Sequence, residues 1–294
     1  MWFRRNGHAE QPALVLSGGG AMGALQVGIL RVLARRGFRP SHIVGTSVGA
    51  LNGAFFAFYP DEAGVEQLAD IWRELENERF IHFSAVRMAY RLAARRRYLF
   101  SNDLLQRLVA EHAVVDDFSA TEIPLSVTAT DLTAGRKHVF RRGSVSQAVL
   151  ASTALPGVFS PIEIDGHSYV DGGVLANLDL ETAVDAGARE ILAIDLSHSF
   201  DQPNPVNVLG VITRTVDIVI RDRVARDMAQ LSERARIALI QPQIPEGPGL
   251  GELREISRLI ERGEQFGEEM VGQCFDDKGR LSPGVISAPM ALSA

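Results

Sequence analysis

One segment of the chain reads His42-Ile43-Val44-Gly45-Thr46-Ser47-Val48-Gly49-Ala50-Leu51-Asn52-Gly53. Two apolar β-branched residues lead into a Gly-x-Ser-x-Gly turn, and small residues that suit a closely packed helix follow. This order holds a serine exposed on a sharp strand-to-helix corner, where the helix N-terminus supplies free N–H groups. The segment therefore predicts that Ser47 is a nucleophile, with Gly45 and Gly49 as the turn glycines. An ordinary glycine-rich turn is the alternative for so short a pattern.

A glycine-rich loop lies one strand–helix unit before this corner. Residues 12–17 form a short apolar run that predicts a buried parallel strand, and the sequence Gly18-Gly19-Gly20-Ala21-Met22-Gly23 follows it. These glycines also match the dinucleotide-binding pattern, which requires an acidic residue about 20 positions later. No Asp or Glu occurs between Gly18 and Pro60. A phosphate-binding variant that uses Arg35 or Arg36 stays open.

The same loop suits another purpose beside a serine nucleophile. Consecutive strand–loop–helix units of a parallel sheet place their loops at the carboxyl ends of the strands, so the loop and Ser47 are expected to face one crevice. Adjacent glycines let backbone N–H groups converge on one point beside a helix N-terminus, where negative charge is stabilised. We therefore expect the amides of Gly18, Gly19 and Gly20 to form an oxyanion hole.

A serine nucleophile needs a base, and the chain offers two candidates. His198 follows a predicted strand at residues 191–196, the place of the histidine in an α/β-hydrolase triad. Asp171 is followed by Gly172 and Gly173, which let the chain bend sharply and bring the carboxylate close to another group. From the residues alone, a surface histidine and an ordinary Asp-Gly turn remain the alternatives.

Composition narrows the class of protein. With 294 residues, 46% of them hydrophobic and 22% charged, the chain suits one large α/β domain. The net charge of −6 indicates no nucleic-acid partner, and the single cysteine, Cys274, permits no internal disulfide, which suits a reducing compartment. The N-terminus has no apolar segment typical of a secretory signal, and no apolar run approaches the roughly 20 residues that span a bilayer. We expect a cytoplasmic protein.

Residues 79–102 form a basic stretch that carries six arginines and no acidic residue. Arg87, Arg91 and Arg95 follow at i, i+4 spacing, a mildly repulsive arrangement unless something anionic lies opposite, and apolar residues lie between them. Such a segment is typical of a lid-like insertion or of peripheral contact with an anionic membrane surface. A solvated face or a salt-bridged subunit contact is the alternative.

The composition changes after Ser199. Residues 199–275 predict a C-terminal helix–strand–helix extension that packs on the same domain, where its long helices complete the core or pair subunits in a homo-oligomer. Residues 276–294 are expected to form a flexible tail.

Three ordered motifs together resemble a patatin-like phospholipase domain. They are the glycine loop at residues 18–23, the corner at residues 45–49, and the sequence Ala151-Ser152-Thr153-Ala154-Leu155-Pro156-Gly157-Val158-Phe159 that leads into Asp171-Gly172-Gly173. The likeness extends from Leu14 to Leu196, within a catalytic domain that we place at residues 12–198. It implies a three-layer α/β/α fold with a mostly parallel central sheet, to which the C-terminal helical extension is added.

The resemblance also implies a chemistry. Ser47 would be the nucleophile and Asp171 the general base of a Ser-Asp dyad, the Val48 N–H would join the oxyanion hole, and Gly23 is a further motif glycine. The implied substrate is a fatty-acyl ester or phospholipid, cleaved through an acyl-enzyme with no metal or cofactor. A general carboxylesterase, a polyester depolymerase and a catalytically idle scaffold that binds lipid or protein are the alternatives.

One residue departs from the family's usual pattern. Met22 occupies a position where the family usually has Arg or Lys. Backbone amides would still form the oxyanion hole, but the lost positive charge bears on the handling of anionic head groups.

Overall fold

The computed structural model describes residues 11–77, 116–197, 208–243, 255–276 and 280–287. Their strands in chain order are β1 (Ala13–Leu16), β2 (Ile43–Thr46), β3 (Leu125–Asp131), β4 (Arg136–Phe140), β5 (Ile162–Ile164), β6 (His167–Asp171), β7 (Glu190–Ile194), β8 (Arg236–Ile240) and β9 (Gly284–Ile286). They form one mixed sheet, in which β3-β2-β1-β7-β8-β9 run parallel in that spatial order. Strands β4 and β6 pair antiparallel with β3, and β5 pairs antiparallel with β6.

Helices cover both faces of this sheet. They are α1 (Gly23–Arg35), α2 (Val48–Phe58), α3 (Glu62–Asn77), α4 (Val145–Ser152), α5 (Gly173–Ala176), α6 (Leu180–Asp185), α7 (Val208–Leu231) and α8 (Ile256–Met270), with 3-10 turns at Gly20–Met22, Phe118–Ala120 and Val271–Cys274. Alternate residues of β1 enter different cores: Leu14 and Leu16 pack with α1, α2, α3 and α8, whereas Ala13 and Val15 pack with α6 and α7. Because successive side chains of a strand point to opposite faces, this division shows three layers, and the predicted fold class is confirmed.

The C-terminal part of the chain belongs to the same sheet. Strand β8 lies between β7 and β9, and α8 packs closely along α1. A Cβ added at Gly28 of α1 would lie only 2.1 Å from the backbone oxygen of Ile260 in α8, so this glycine permits the close approach of the two helices. Ion pairs border the contact, including Arg31 with Glu264 at 2.7 Å.

The predicted flexible tail at residues 276–294 is wrong for β9. Residues 284–286 extend the sheet parallel to β8, and Leu281 just before them is fully buried. Arg236 also donates hydrogen bonds to the Leu281 carbonyl oxygen. The reason is physical: the edge of β8 presents unpaired backbone groups, and a three-residue strand satisfies them.

Two other predictions concern membranes. The basic insertion at residues 79–102, with Arg87, Arg91 and Arg95, lies outside the described residues. Of the helices that the structure describes, none has the length and apolar composition that crossing a membrane demands.

Candidate active site

Strands β2 and β6 run toward each other along the same edge of β3, while β4 pairs with the opposite edge from Val127 to Asp131. Strand β2 is parallel to β3 and ends with Thr46 opposite Thr128. Strand β6 is antiparallel to β3 and ends with Asp171 opposite Ala129, the next residue. The carboxyl ends of β2 and β6 therefore meet, and this meeting brings Ser47 and Asp171 together.

Ser47 occupies the corner that the sequence predicts. Its backbone has φ 55° and ψ −126°, a region that costs a non-glycine residue energy and that persists where the surroundings enforce it. Both turn glycines are required by close contacts: a Cβ at Gly45 would lie 2.4 Å from the Gly49 oxygen, and one at Gly49 would lie 2.4 Å from the Leu16 oxygen. The serine side chain is half-buried, so it remains open to a substrate.

The Ser47 hydroxyl donates a hydrogen bond to Asp171 Oδ2 at 2.6 Å. The other carboxylate oxygen, Oδ1, accepts the Gly173 N–H at 2.7 Å. Asp171 is also fixed through its backbone, since its N–H donates to the Ala154 oxygen and its carbonyl accepts the Thr130 hydroxyl. Oδ2 is thus held toward the serine oxygen.

Burial sets the proton affinity of Asp171. The residue is 5% exposed, and loss of solvation raises the pKa of its carboxyl group from 3.8 to about 6, although the hydrogen bonds from Ser47 and Gly173 oppose this rise. A carboxylate with a pKa near the working pH is a far better base than an ordinary aspartate.

The glycine loop lies against the nucleophile. A Cβ at Gly18 would lie 3.0 Å from Ser47 Cβ, and one at Gly19 would lie 2.7 Å from the Leu196 side chain. The loop is therefore held between the serine corner and the segment that follows β7. It leads through the 3-10 turn that begins at Gly20 into the N-terminus of α1.

The loop amides differ in their availability. The Gly18 N–H donates to the Asn177 carbonyl oxygen at 3.1 Å and the residue is buried, so the amide of this predicted oxyanion-hole residue already has a partner. Gly19 and Gly20 are half-buried. Within the described ranges, the amides of Gly19, Gly20 and Val48 donate no hydrogen bond, and these three positions remain the candidates.

Close contacts also explain the other motif glycines. A Cβ would lie 2.3 Å from Val48 Cγ2 at Gly23, 2.2 Å from the Thr128 oxygen at Gly172, and 2.9 Å from Asn177 Oδ1 at Gly173. Each glycine lets two segments of the site approach. Met22, in contrast, is 3% exposed and lies in the core with α1 and α2, so its side chain is packed among apolar residues rather than exposed to a substrate.

Sequence reasoning assigned no role to two residues of this site. Ser152 is fully buried, and its hydroxyl oxygen accepts the Ser47 N–H at 2.8 Å. Asn177 accepts the Gly18 N–H, and its side chain packs against Gly18 and Gly173. Ser152 stood inside one of the three quoted motifs, whereas Asn177 had no local pattern to mark it.

The described histidines bind elsewhere. His42 contacts Ser126 at 2.9 Å, His167 contacts Asp131 at 2.8 Å, and the His138 ring packs against Tyr169 with an angle of 57° between the ring planes. His198, the candidate for a triad, lies outside the described residues.

The structure also bears on the alternative in which Arg35 or Arg36 binds a phosphate at the glycine loop. Arg35 and Arg36 pair with Glu264 and Glu268 of α8 at the C-terminal end of α1, about 20 Å of helix from the glycine loop, where they would not reach a phosphate in that loop. No group of three or more potential metal-binding side chains occurs in the part of the chain that the structure describes.

Comparison with known proteins gives a consistent result. The family model "Patatin-like phospholipase" matches residues 14–184. The chain is similar to patatin-like phospholipase domain-containing protein 7 of Rattus norvegicus, with 34% identity over 190 residues, 63% of this chain and 13% of that protein. It is also similar to an NTE family protein of Mycobacterium tuberculosis, with 30% identity over 196 residues, 66% of this chain and 51% of the relative. The chain thus spans about half the length of the mycobacterial relative and 13% of the length of the rat relative.

Among solved structures, VipD from Legionella pneumophila matches with a TM-score of 0.47 and 14% identity, covering 89% of this chain and 66% of the other.

Proposed function

Because the chain belongs to the patatin-like phospholipase family, we propose that it hydrolyses lipid acyl esters through an acyl-enzyme on Ser47, with Asp171 as general base. The observation that carries the proposal is the 2.6 Å hydrogen bond from the serine hydroxyl to Asp171 Oδ2. A nucleophile and a base within hydrogen-bond reach are the geometric requirement for this chemistry.

In the acylation step, Ser47 Oγ attacks the ester carbonyl carbon and its proton passes to Asp171 Oδ2. The carbonyl π electrons move to oxygen, and the resulting oxyanion lies beside the amides of Gly19, Gly20 and Val48. Each well-placed donor of this kind contributes about 3 to 4 kcal/mol to the transition state. The intermediate collapses, the bond to the leaving alcohol breaks, and that alkoxide takes the proton from Asp171. The acyl group remains bound to Ser47.

Deacylation repeats these steps with water. Asp171 accepts a proton as water attacks the acyl carbon, and it returns that proton to Ser47 Oγ as the acid is released. The raised pKa of Asp171, about 6, suits both directions of transfer, because the group accepts and releases a proton near neutral pH. This is why a single carboxylate suffices in the proposed mechanism.

The rim of the site favours an apolar substrate. Val174 and Leu175 of α5 directly follow Gly173, and their side chains are 49% and 38% exposed. Exposed apolar side chains beside a hydrolytic pair are suited to an acyl chain. The proposed substrate class is therefore the fatty-acyl ester of a lipid rather than a small polar ester.

Covalent labelling tests the nucleophile. Wild type, Ser47→Ala and Ser232→Ala would be treated with a fluorophosphonate and measured by intact mass; Ser232 is exposed and serves as the control. We expect one adduct on wild type and Ser232→Ala, and none on Ser47→Ala. An adduct that persists in Ser47→Ala would place the nucleophile elsewhere, and no adduct on folded wild type would favour the idle scaffold.

Hydrolysis assays test the base and the substrate class. Short- and long-chain acyl esters would be compared in wild type, Asp171→Asn and His198→Ala. We expect Asp171→Asn to lose turnover and His198→Ala to retain it, with long acyl chains preferred. The opposite result for the two variants would replace the dyad with a triad, and a preference for short esters would favour a general carboxylesterase.

A further inference from the structure

Ser152, at the C-terminal end of α4, contacts three separate segments at the point where β2 and β6 meet. Its hydroxyl donates to the Thr128 carbonyl oxygen at 2.6 Å and accepts the Ser47 N–H at 2.8 Å. Its carbonyl oxygen accepts the Gly172 N–H at 3.4 Å. One fully buried residue therefore binds the backbone of the nucleophile, of the central strand and of the loop after the base.

The sheet itself does not supply this connection. The pairing of β2 with β3 ends at Thr46 opposite Thr128, and that of β6 ends at Asp171 opposite Ala129. Ser47 lies beyond the end of its ladder, so the backbone hydrogen bonds of the sheet do not fix it relative to Asp171. The hydrogen bonds of Ser152 join the ends of these two ladders.

The hydrogen bond between Ser152 and the Ser47 amide also restrains the unfavourable backbone conformation of Ser47. Its φ of 55° is unfavourable for a residue with a Cβ, so the corner relaxes unless neighbours hold it. The bond from the Ser47 N–H to Ser152 Oγ is such a restraint. It also occupies the Ser47 amide, which is consistent with oxyanion donors drawn from Gly19, Gly20 and Val48.

We propose that Ser152 is a positioning residue that holds the Ser47 hydroxyl in register with the Asp171 carboxylate, an inference that rests on the proposed function. Without its hydroxyl, the Ser47 N–H and the Thr128 carbonyl each lose a partner, and the corner is free to shift. A displacement of about 1 Å in a reacting pair lowers the rate by roughly 100-fold. The expected effect is therefore on the chemical step rather than on substrate binding.

Ser126 provides a matched control. It lies on the same strand as Thr128, is also fully buried, and its hydroxyl binds His42 and Arg141, both at 2.9 Å. Because Ser126 lies toward the start of β3, away from the junction, Ser126→Ala removes a buried serine hydroxyl and its hydrogen bonds without touching the site.

The experiment compares wild type, Ser152→Ala and Ser126→Ala in fluorophosphonate labelling rate, in kcat and KM for a soluble acyl ester, and in thermal unfolding. We expect both variants to lose stability, but only Ser152→Ala to lose labelling rate and kcat, by roughly 10- to 100-fold with KM unchanged. Equal activity in the two variants, with wild type active, would overturn the proposal. Wild type without labelling or turnover would instead refute the proposed function.

Two further readouts separate positioning from packing. Ser152→Cys keeps the shape of the side chain but bonds weakly, so it should fold and remain slow; full activity in this variant would show that volume alone matters. The hydrogen bond from Ser47 lowers the pKa of Asp171, so a displaced serine should move the acidic limb of the kcat/KM profile of Ser152→Ala to higher pH. An unshifted limb would contradict a change at the dyad.

Discussion

Asp171→Asn is expected to abolish hydrolysis while making the protein more stable at neutral pH. The carboxylate is 5% exposed, and the loss of solvation that raises its pKa from 3.8 to about 6 is a cost that the folded state bears whenever the group is charged. Asparagine has nearly the same shape, accepts the Gly173 N–H through its oxygen and donates to Ser47 through its amide. The variant therefore removes the charge and leaves the hydrogen-bonding groups partnered.

The magnitude follows from the pKa change. A difference of about 2 units between the unfolded and folded protein, at 1.36 kcal/mol per unit, corresponds to about 3 kcal/mol. Because the folded pKa is raised, the favourable contribution of the protonated form is complete below pH 3.8 and is lost as the pH rises through about 6. The advantage of Asp171→Asn over wild type should thus be about 0.5 kcal/mol at pH 4 and about 3 kcal/mol at pH 8.

Urea unfolding of wild type and Asp171→Asn at pH 4 and pH 8 measures this difference directly. Asp185→Asn is the control, because Asp185 is 57% exposed and forms only a surface ion pair with Arg234 at 3.2 Å; its effect should stay below about 1 kcal/mol and should not be stabilising. If Asp171→Asn exceeds wild type in free energy of unfolding by the same amount at pH 4 and pH 8, or at neither pH, burial does not raise the basicity of this carboxylate.

Three further predictions test the packing and the acid–base chemistry. Gly28→Ala should lower the midpoint of thermal unfolding, because the new Cβ would lie 2.1 Å from the Ile260 oxygen. The control Gly272→Ala should not, because its Cβ would meet only the end of an arginine at 3.8 Å. Equal midpoints for the two variants in scanning fluorimetry would contradict the close α1–α8 contact. Met22→Arg should lower the free energy of unfolding in urea by several kcal/mol, because the buried guanidinium would lose its hydration. Met22→Leu should lower it by less than about 1.5 kcal/mol. A stable and more active Met22→Arg would place this side chain in the crevice. For wild type, kcat/KM on a soluble ester should rise with pH through about 6 and then level off, since Asp171 must be unprotonated to accept the serine proton; a flat profile from pH 5 to 8 would exclude it as base.

Local features of the sequence predicted the two halves of the site but not their meeting. The strand–turn–helix at Ser47 follows from the β-branched residues and glycines around it, and the bend after Asp171 follows from Gly172 and Gly173. Their contact depends on the register of β2 and β6 along β3, between residues 124 positions apart in the chain. No periodicity within either segment carries that register, so the residues alone left Asp171 and His198 as alternative bases, and the resemblance to a family favoured Asp171.

The features that the sequence did not predict also originate in tertiary contacts. Three successive glycines look equivalent in sequence, yet Gly18 differs from Gly19 and Gly20 because the Asn177 carbonyl binds its amide. Strand β9 has three residues and no repeating pattern, and what makes it a strand is the unpaired edge of β8. The side chain of Met22 turns into the core, which the loop sequence alone does not reveal.

The head-to-head arrangement of β2 and β6 also accounts for the absence of an imidazole from the proposed mechanism. The two strands end opposite adjacent residues of β3, Thr128 and Ala129, so the Asp171 carboxylate contacts Ser47 directly and no side chain lies between them. In a triad the histidine has a suitable pKa of its own, and the acid only orients it. In a mechanism without a histidine, the carboxylate itself must be basic enough to accept the serine proton. In this fold, burial raises its basicity. The same burial imposes the cost in stability that Asp171→Asn relieves, so loss of activity and gain of stability should appear together in that one variant.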